Sequence, residues 1–133
     1  MAIRNAHIML VDDDPSLRSA LRTLLEISGY SVSAFGDGHQ AVHFFQERSR
    51  SIELVLLDMI MPRISGEQVF HELKRTDPEV KVLFISGYCE GKTIRDLLAH
   101  DHTGFLQKPF TITKLLETMA GLLVPCETAV CCA

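Results

Sequence analysis

Ile52-Glu53-Leu54-Val55-Leu56-Leu57-Asp58 is the stretch that decides the fold. The run is almost wholly apolar and short, so residues 52–57 read as a strand covered on both faces, and it ends on a carboxylate. Three other runs repeat the pattern: residues 7–11 lead into Asp12 and Asp13, residues 80–85 into Ser86, and residues 103–107 into Lys108. Between these runs the apolar residues recur at helical spacing. Leu17, Ala20, Leu21, Leu24 and Leu25 mark a first helix stopped by Gly29. Residues 30–35 read as another strand, and 40–48 as a second helix bearing Ala41, Val42, Phe44 and Phe45. Val69, Phe70 and Leu73 give a third helix, which Asp77-Pro78 ends after a loop bracketed by Pro62 and Gly66. Residues 90–100 form a weaker fourth helix containing Gly91, and 111–123 a fifth.

Five short strands alternating with five helices predict an α/β domain built from βαβ units on a parallel sheet. In such a sheet the carboxyl ends of the strands lie along one edge, where ligands bind. Asp12, Asp13, Asp58, Ser86 and Lys108 therefore converge. Three carboxylates, a hydroxyl and an ammonium are suited to a divalent cation and a phosphoryl group. Asp14 stands apart from its two neighbours, because Pro15 after it is a favoured first helical residue and makes Asp14 a helix cap.

Bulk properties narrow the alternatives. The 133 residues fit one domain, expected over 1–124, with 125–133 a disordered tail. A net charge of -4 argues against direct nucleic-acid binding, which calls for a basic stripe. No apolar run is long enough for a membrane span and residues 1–6 do not read as a signal peptide, so a cytoplasmic location is expected. Cys89, Cys126, Cys131 and Cys132 have neither zinc spacing nor a prenylation pattern. They read as thiols in a reducing compartment. His39 and His43 lie four apart on the second helix but lack a third ligand, and His100 and His102 carry no evident chemistry.

With Asp12-Asp13, the stretch from Asp58-Met59-Ile60-Met61-Pro62 to Gly66, Ser86-Gly87 and Lys108-Pro109-Phe110 in that order, the chain resembles the receiver domain of two-component response regulators. The stretch from Phe105 to Thr111 is more particularly similar to receivers of hybrid sensor kinases. The resemblance implies a flavodoxin-like, doubly wound five-stranded sheet of order 2-1-3-4-5. It implies that Asp58 takes a phosphoryl group from phosphohistidine and that Asp12, Asp13, Asp58 and the Ile60 backbone carbonyl hold Mg²⁺. Ser86, Gly87 and Lys108 would bind phosphoryl oxygens, with a cis Lys108-Pro109 bond. Ser86 and Phe105 would act as the switch pair, although Phe105 also reads as an ordinary core residue. The implied partner is a histidine kinase or histidine phosphotransfer protein, and a phosphorylation-dependent homodimer through the fourth helix, fifth strand and fifth helix fits the same resemblance.

Such a domain takes part in its own phosphotransfer and is not an enzyme turning over a free substrate. Two other classes compete. A Mg²⁺-dependent phosphohydrolase using an aspartyl-phosphate would carry a second acid two residues after the nucleophile, where this chain has Ile60. A degenerate receiver serving as a constitutive binding module would not need the complete acidic set. The resemblance implies that Ile60 and Tyr88 flank the path of attacking water, where an apolar side chain and a bulky ring predict slow loss of the phosphoryl group; a Tyr88 hydroxyl that holds the water gives the opposite result.

Overall fold

The computed structural model describes residues 6–87 and 91–123. The expected tail at 125–133, Tyr88 and all four cysteines lie outside the described residues. The chain runs β1 (His7–Val11), α1 (Pro15–Ile27), β2 (Ser31–Phe35), α2 (Gly38–Arg48), a 3-10 turn (Ser49–Ser51) and β3 (Leu54–Asp58). It continues as α3 (Gly66–Thr76), β4 (Val82–Ser86), α4 (Gly91–Leu98), β5 (Thr103–Gln107) and α5 (Ile112–Leu123). All strand pairs are parallel, in the order β2-β1-β3-β4-β5, which is the doubly wound arrangement that the resemblance implied.

Alternation along the strands builds two cores. Met9, Val11, Val55, Leu57, Val82 and Phe84 face Ala41 and Phe45 of α2, Val69, Phe70 and Leu73 of α3, and Leu97 of α4. Ile8, Leu10, Leu54, Leu56, Leu83 and Ile85 face Leu21 and Leu25 of α1 and Leu115, Met119 and Leu123 of α5. Because helices cover both faces, β3 and β4 are buried at every position, which is why they read as unbroken apolar runs. The edge strands β2 and β5 are only partly buried. Each fully buried Leu or Phe contributes roughly 1.5–3 kcal/mol of transfer free energy. The fold therefore rests on the central strands.

Element boundaries differ from the sequence expectation by up to two residues, for local reasons. The 3-10 turn occupies 49–51, and β3 pairs from Leu54 through Asp58 instead of over 52–57. Strand β4 starts at Val82, two residues late, because the Val80 N–H is used in a turn to the Asp77 carbonyl at 3.0 Å. Helix α2 starts at Gly38, not residue 40, since the Asp37 side chain accepts from His39 N and caps it. Helix α3 begins at Gly66 itself, where Ser65 and Gln68 form a reciprocal capping box. The weak fourth helix is real but shorter than 90–100, ending at Leu98. Helix α5 starts one residue late because Thr111 is its cap, accepting from Lys114 N at 3.0 Å.

Asp14 caps α1 as expected. Its side chain accepts from Ser16 N and Leu17 N, with Pro15 in the first turn. Asp14→Ala should therefore cost about 1 kcal/mol of unfolding free energy in a urea titration, with the denaturant slope unchanged. A loss below a few tenths would show that the cap is not used.

Candidate functional site

Strand ends assemble the site. Asp12 and Asp13 directly follow β1, Asp58 is the last residue of β3, Ser86 the last of β4, and Lys108 directly follows β5. Since β1 and β4 are the two neighbours of β3, the three loops meet around Asp58. One carboxylate oxygen from each of Asp12, Asp13 and Asp58 lies within 4.8 Å of the others. Asp12 and Asp58 are 2% and 6% exposed, while Asp13 opens to solvent. Among the described residues this trio is the single group of three His, Cys, Asp or Glu side chains placed to share an ion.

The charge is only partly balanced. Lys108 Nζ sits 3.7 Å from Asp12 Oδ2 and 4.0 Å from Asp58 Oδ2. Asp12 Oδ1 accepts from Asp14 N at 2.9 Å, and Asp58 Oδ1 accepts from Ile60 N at 3.2 Å. Burial, and then the Asp12 charge, push the Asp58 carboxyl up to about 6, against the opposing effects of the Ile60 N–H and the Lys108 ammonium. Three carboxylates facing one ammonium are a hard-oxygen donor set with surplus negative charge. That set fits a small divalent cation such as Mg²⁺, which prefers a few carboxylates on an open edge.

The remaining predicted residues fall close by. Ser86 is 2% exposed, and its carbonyl accepts from Lys108 N at 2.8 Å, which ties the ends of β4 and β5 together. A Cβ built on Gly87 would come 3.9 Å from Lys108 Cβ, so that glycine borders the lysine. The Lys108-Pro109 bond is cis. Ile60 is 64% exposed and its side chain takes no part in the acidic cluster. Phe105 is partly buried, packs against the core that includes residues of α2, α3 and α4, and pairs in register with Phe84. His39 and His43 are exposed on α2, and His43 pairs only with Glu47, at 3.4 Å. His100 packs its ring on Phe70 and His102 lies 3.1 Å from Glu79, away from the acidic edge.

The packing role of Gly66 and the part of Arg18 are not legible in the sequence. A Cβ on Gly66 would be driven into the Asp58 carbonyl oxygen and to 2.6 Å from Met59 Cα, so only glycine lets α3 start against the strand that carries Asp58. The sequence marks Gly66 as the end of the motif that starts at Asp58, eight residues earlier, without showing this close approach. Arg18 Nη1 donates to the Asp12 carbonyl at 2.7 Å. No local pattern distinguishes that arginine from a solvated one on α1.

The family model for the response regulator receiver domain matches residues 8–120. The chain is 33% identical over 119 residues to the sensor kinase CckA of Brucella abortus, covering 90% of this chain and 13% of that protein. It is 32% identical to the response regulator receiver protein CpdR of the same organism, covering 88% of this chain and 96% of CpdR. The chain spans about half the length of other curated relatives, the MprA response regulators. Among solved structures, the response regulator TrrA from Thermotoga maritima, in complex with Mg²⁺ and BeF, superposes with a TM-score of 0.75 at 30% identity, over 88% of this chain and 98% of TrrA. With a five-stranded sheet of order 2-1-3-4-5 and an acidic cluster at its carboxyl edge, the chain belongs to the receiver domains of two-component response regulators.

Proposed function

We propose that Asp58 is the phosphoacceptor of this receiver, taking a phosphoryl group from the phosphohistidine of a histidine kinase or histidine phosphotransfer protein. The observation that carries this reading is the placement of Asp58, buried at a strand end, within ion-sharing distance of Asp12 and Asp13 and within 4.0 Å of Lys108. A carboxylate oxygen of Asp58 attacks phosphorus while the bond from phosphorus to the histidine nitrogen breaks. The electron pair returns to the imidazole, and an acyl phosphate remains on Asp58. With its pKa near 6, Asp58 is mostly ionised at pH 7.5 and so available as the nucleophile.

Repulsion between a carboxylate and an anionic phosphoryl group is the main obstacle. Asp12, Asp13, the Asp58 carboxylate and the Ile60 carbonyl would hold Mg²⁺, which supplies positive charge to the phosphoryl oxygens when bound. Lys108 brings a second positive charge from the β5 side. The Ser86 hydroxyl and Gly87 N–H would bind the remaining oxygens. Phosphorylation adds about -1.5 to -2 charge, toward which Ser86 and Lys108 would be drawn. The Lys108 N–H bond to the Ser86 carbonyl makes the two loops move together, and Phe105, one strand position from Leu106, would report that motion on the α4-β5-α5 surface. That surface is the proposed site of output and of a phosphorylation-dependent homodimer. On this reading the chain works in the cytoplasm as a signalling module and takes part in its own phosphotransfer instead of turning over a free substrate. No helix among the described residues is long and apolar enough to cross a membrane.

Three measurements test the reading. Asp58→Asn should incorporate no phosphate from a phosphorylated histidine kinase or a small phosphodonor while keeping its circular dichroism spectrum; incorporation equal to wild type refutes the acceptor assignment.

Asp13→Ala should weaken Mg²⁺ binding at least tenfold, as loss of a direct ligand requires, whereas Asp14→Ala should leave it within about twofold. Calorimetric titration of both variants checks this, and the reverse ranking would exchange the two roles.

The raised pKa of Asp58 also has a sign. The folded state binds this proton more tightly than the unfolded chain, so its contribution to stability is full below pH 3.8 and is lost as pH rises through about 6. In metal-free buffer at pH 7.5, Asp58→Asn should thus be more stable than wild type, by on the order of 1–3 kcal/mol, with the gap closing near pH 4. Mg²⁺ should narrow the gap at pH 7.5 by stabilising the wild type. Denaturant titrations at the two pH values decide it.

A further inference from the structure

The end of β2 and the loop after it contribute no side chain to the acidic cluster, yet they support both loops that do. The Asp12 N–H donates to the Phe35 carbonyl at 3.0 Å. On the β3 side, Arg63 Nη2 reaches Asp37 Oδ2 at 3.3 Å, and Arg63 holds a left-handed φ of 70° in the loop that leads from Asp58 to α3. Between these two ties lies Arg18. Its Nη1 donates to the Asp12 carbonyl at 2.7 Å, and its guanidinium rests on Gly36, where an added Cβ would come within 2.5 Å of Nη1 and 3.0 Å of Cζ. Gly36 is therefore the seat of the guanidinium.

We propose that Arg18, seated on Gly36, is a positioning residue for the cation site, fixing through the Asp12 carbonyl the direction in which the Asp12 and Asp13 carboxylates meet Asp58. The proposal rests on the reading of Asp12, Asp13 and Asp58 as that site. With this contact every polar atom of Asp12 is engaged: N with Phe35, O with Arg18, Oδ1 with Asp14 N, and Oδ2 with Lys108. Four constraints on one residue hold its carboxylate in a single orientation. Removing the arginine frees the carbonyl and lets the peptide between Asp12 and Asp13 rotate, which spreads both carboxylates over several directions. Outer partners that orient ligands in this way are worth about 10- to 100-fold in metal affinity.

Charge alone predicts the opposite. A guanidinium near a cation site disfavours the cation, so deleting it should tighten binding if electrostatics were its only influence. Gly36→Ala separates the two effects, because it displaces the flexible end of Arg18 without altering any charge.

The test is calorimetric titration of Mg²⁺ into the full chain as wild type, Asp13→Ala, Arg18→Ala and Gly36→Ala, with thermal unfolding of each in metal-free buffer. The Mg²⁺ Kd should rise about tenfold in both Arg18→Ala and Gly36→Ala. Binding as tight as wild type, or tighter, in either folded variant overturns the proposal, including the case in which the melting temperature falls and the Kd does not change, as a merely structural role requires. If Arg18→Ala does not fold, Gly36→Ala decides, since it retains the whole of α1. Equal Mg²⁺ affinity in wild type and Asp13→Ala removes the cation-site reading itself, an outcome distinct from a Gly36 or Arg18 variant behaving as wild type beside a defective Asp13→Ala.

Discussion

Repulsion among Asp12, Asp13 and Asp58 is the constraint around which the rest of the molecule is arranged. Carboxylate oxygens within 4.8 Å of one another, two of them on buried side chains, are an unfavourable arrangement for a fold with one nearby ammonium. The raised pKa of Asp58, set first by burial and then by the Asp12 charge, includes that cost. It is tolerated because β1, β3 and β4 are buried on both faces and hold the loop ends rigidly against it. Strain placed where a ligand and a phosphoryl group are to bind is released on binding, and that makes the site responsive to both.

The same rigidity links the site to the surface. Asp58 and Ser86 are terminal residues of adjacent central strands, and Lys108 is bonded through its backbone to Ser86. Asp58, Ser86 and Lys108 are thus tied to one another through the ends of β3, β4 and β5. On the opposite flank, the end of β2 and the loop after it tie down Asp12 through Phe35 and Gly36 and the loop after β3 through Asp37. One flank of the site is braced and the other is closed by the backbone bond between Ser86 and Lys108.

Much of this was legible before any coordinates. Strands that are buried on both faces must be short and apolar, so β1, β3 and β4 announced themselves, and the polar residue that ended each one was necessarily at the sheet edge. Asp14 was separable from Asp12 and Asp13 because Pro15 imposes a helix start. Boundaries were less legible where side chains competed for backbone groups: the Ser65 and Gln68 capping box, the Asp37 cap and the turn closed by Val80 each shifted an element by a residue or two.

Sequence by itself determined the fold class, the order of the strand-ending functional residues and the identity of the acidic trio, because these follow from local periodicity and from which residue terminates each run. Tertiary structure alone decided how those groups interact. That Lys108 lies between Asp12 and Asp58, that Gly66 must clear the Asp58 carbonyl and that Arg18 sits on Gly36 to grip Asp12 are contacts between segments remote or differently directed in the chain. Local spacing carries no record of them, since they depend on the twist of the sheet and on the packing of helices against it.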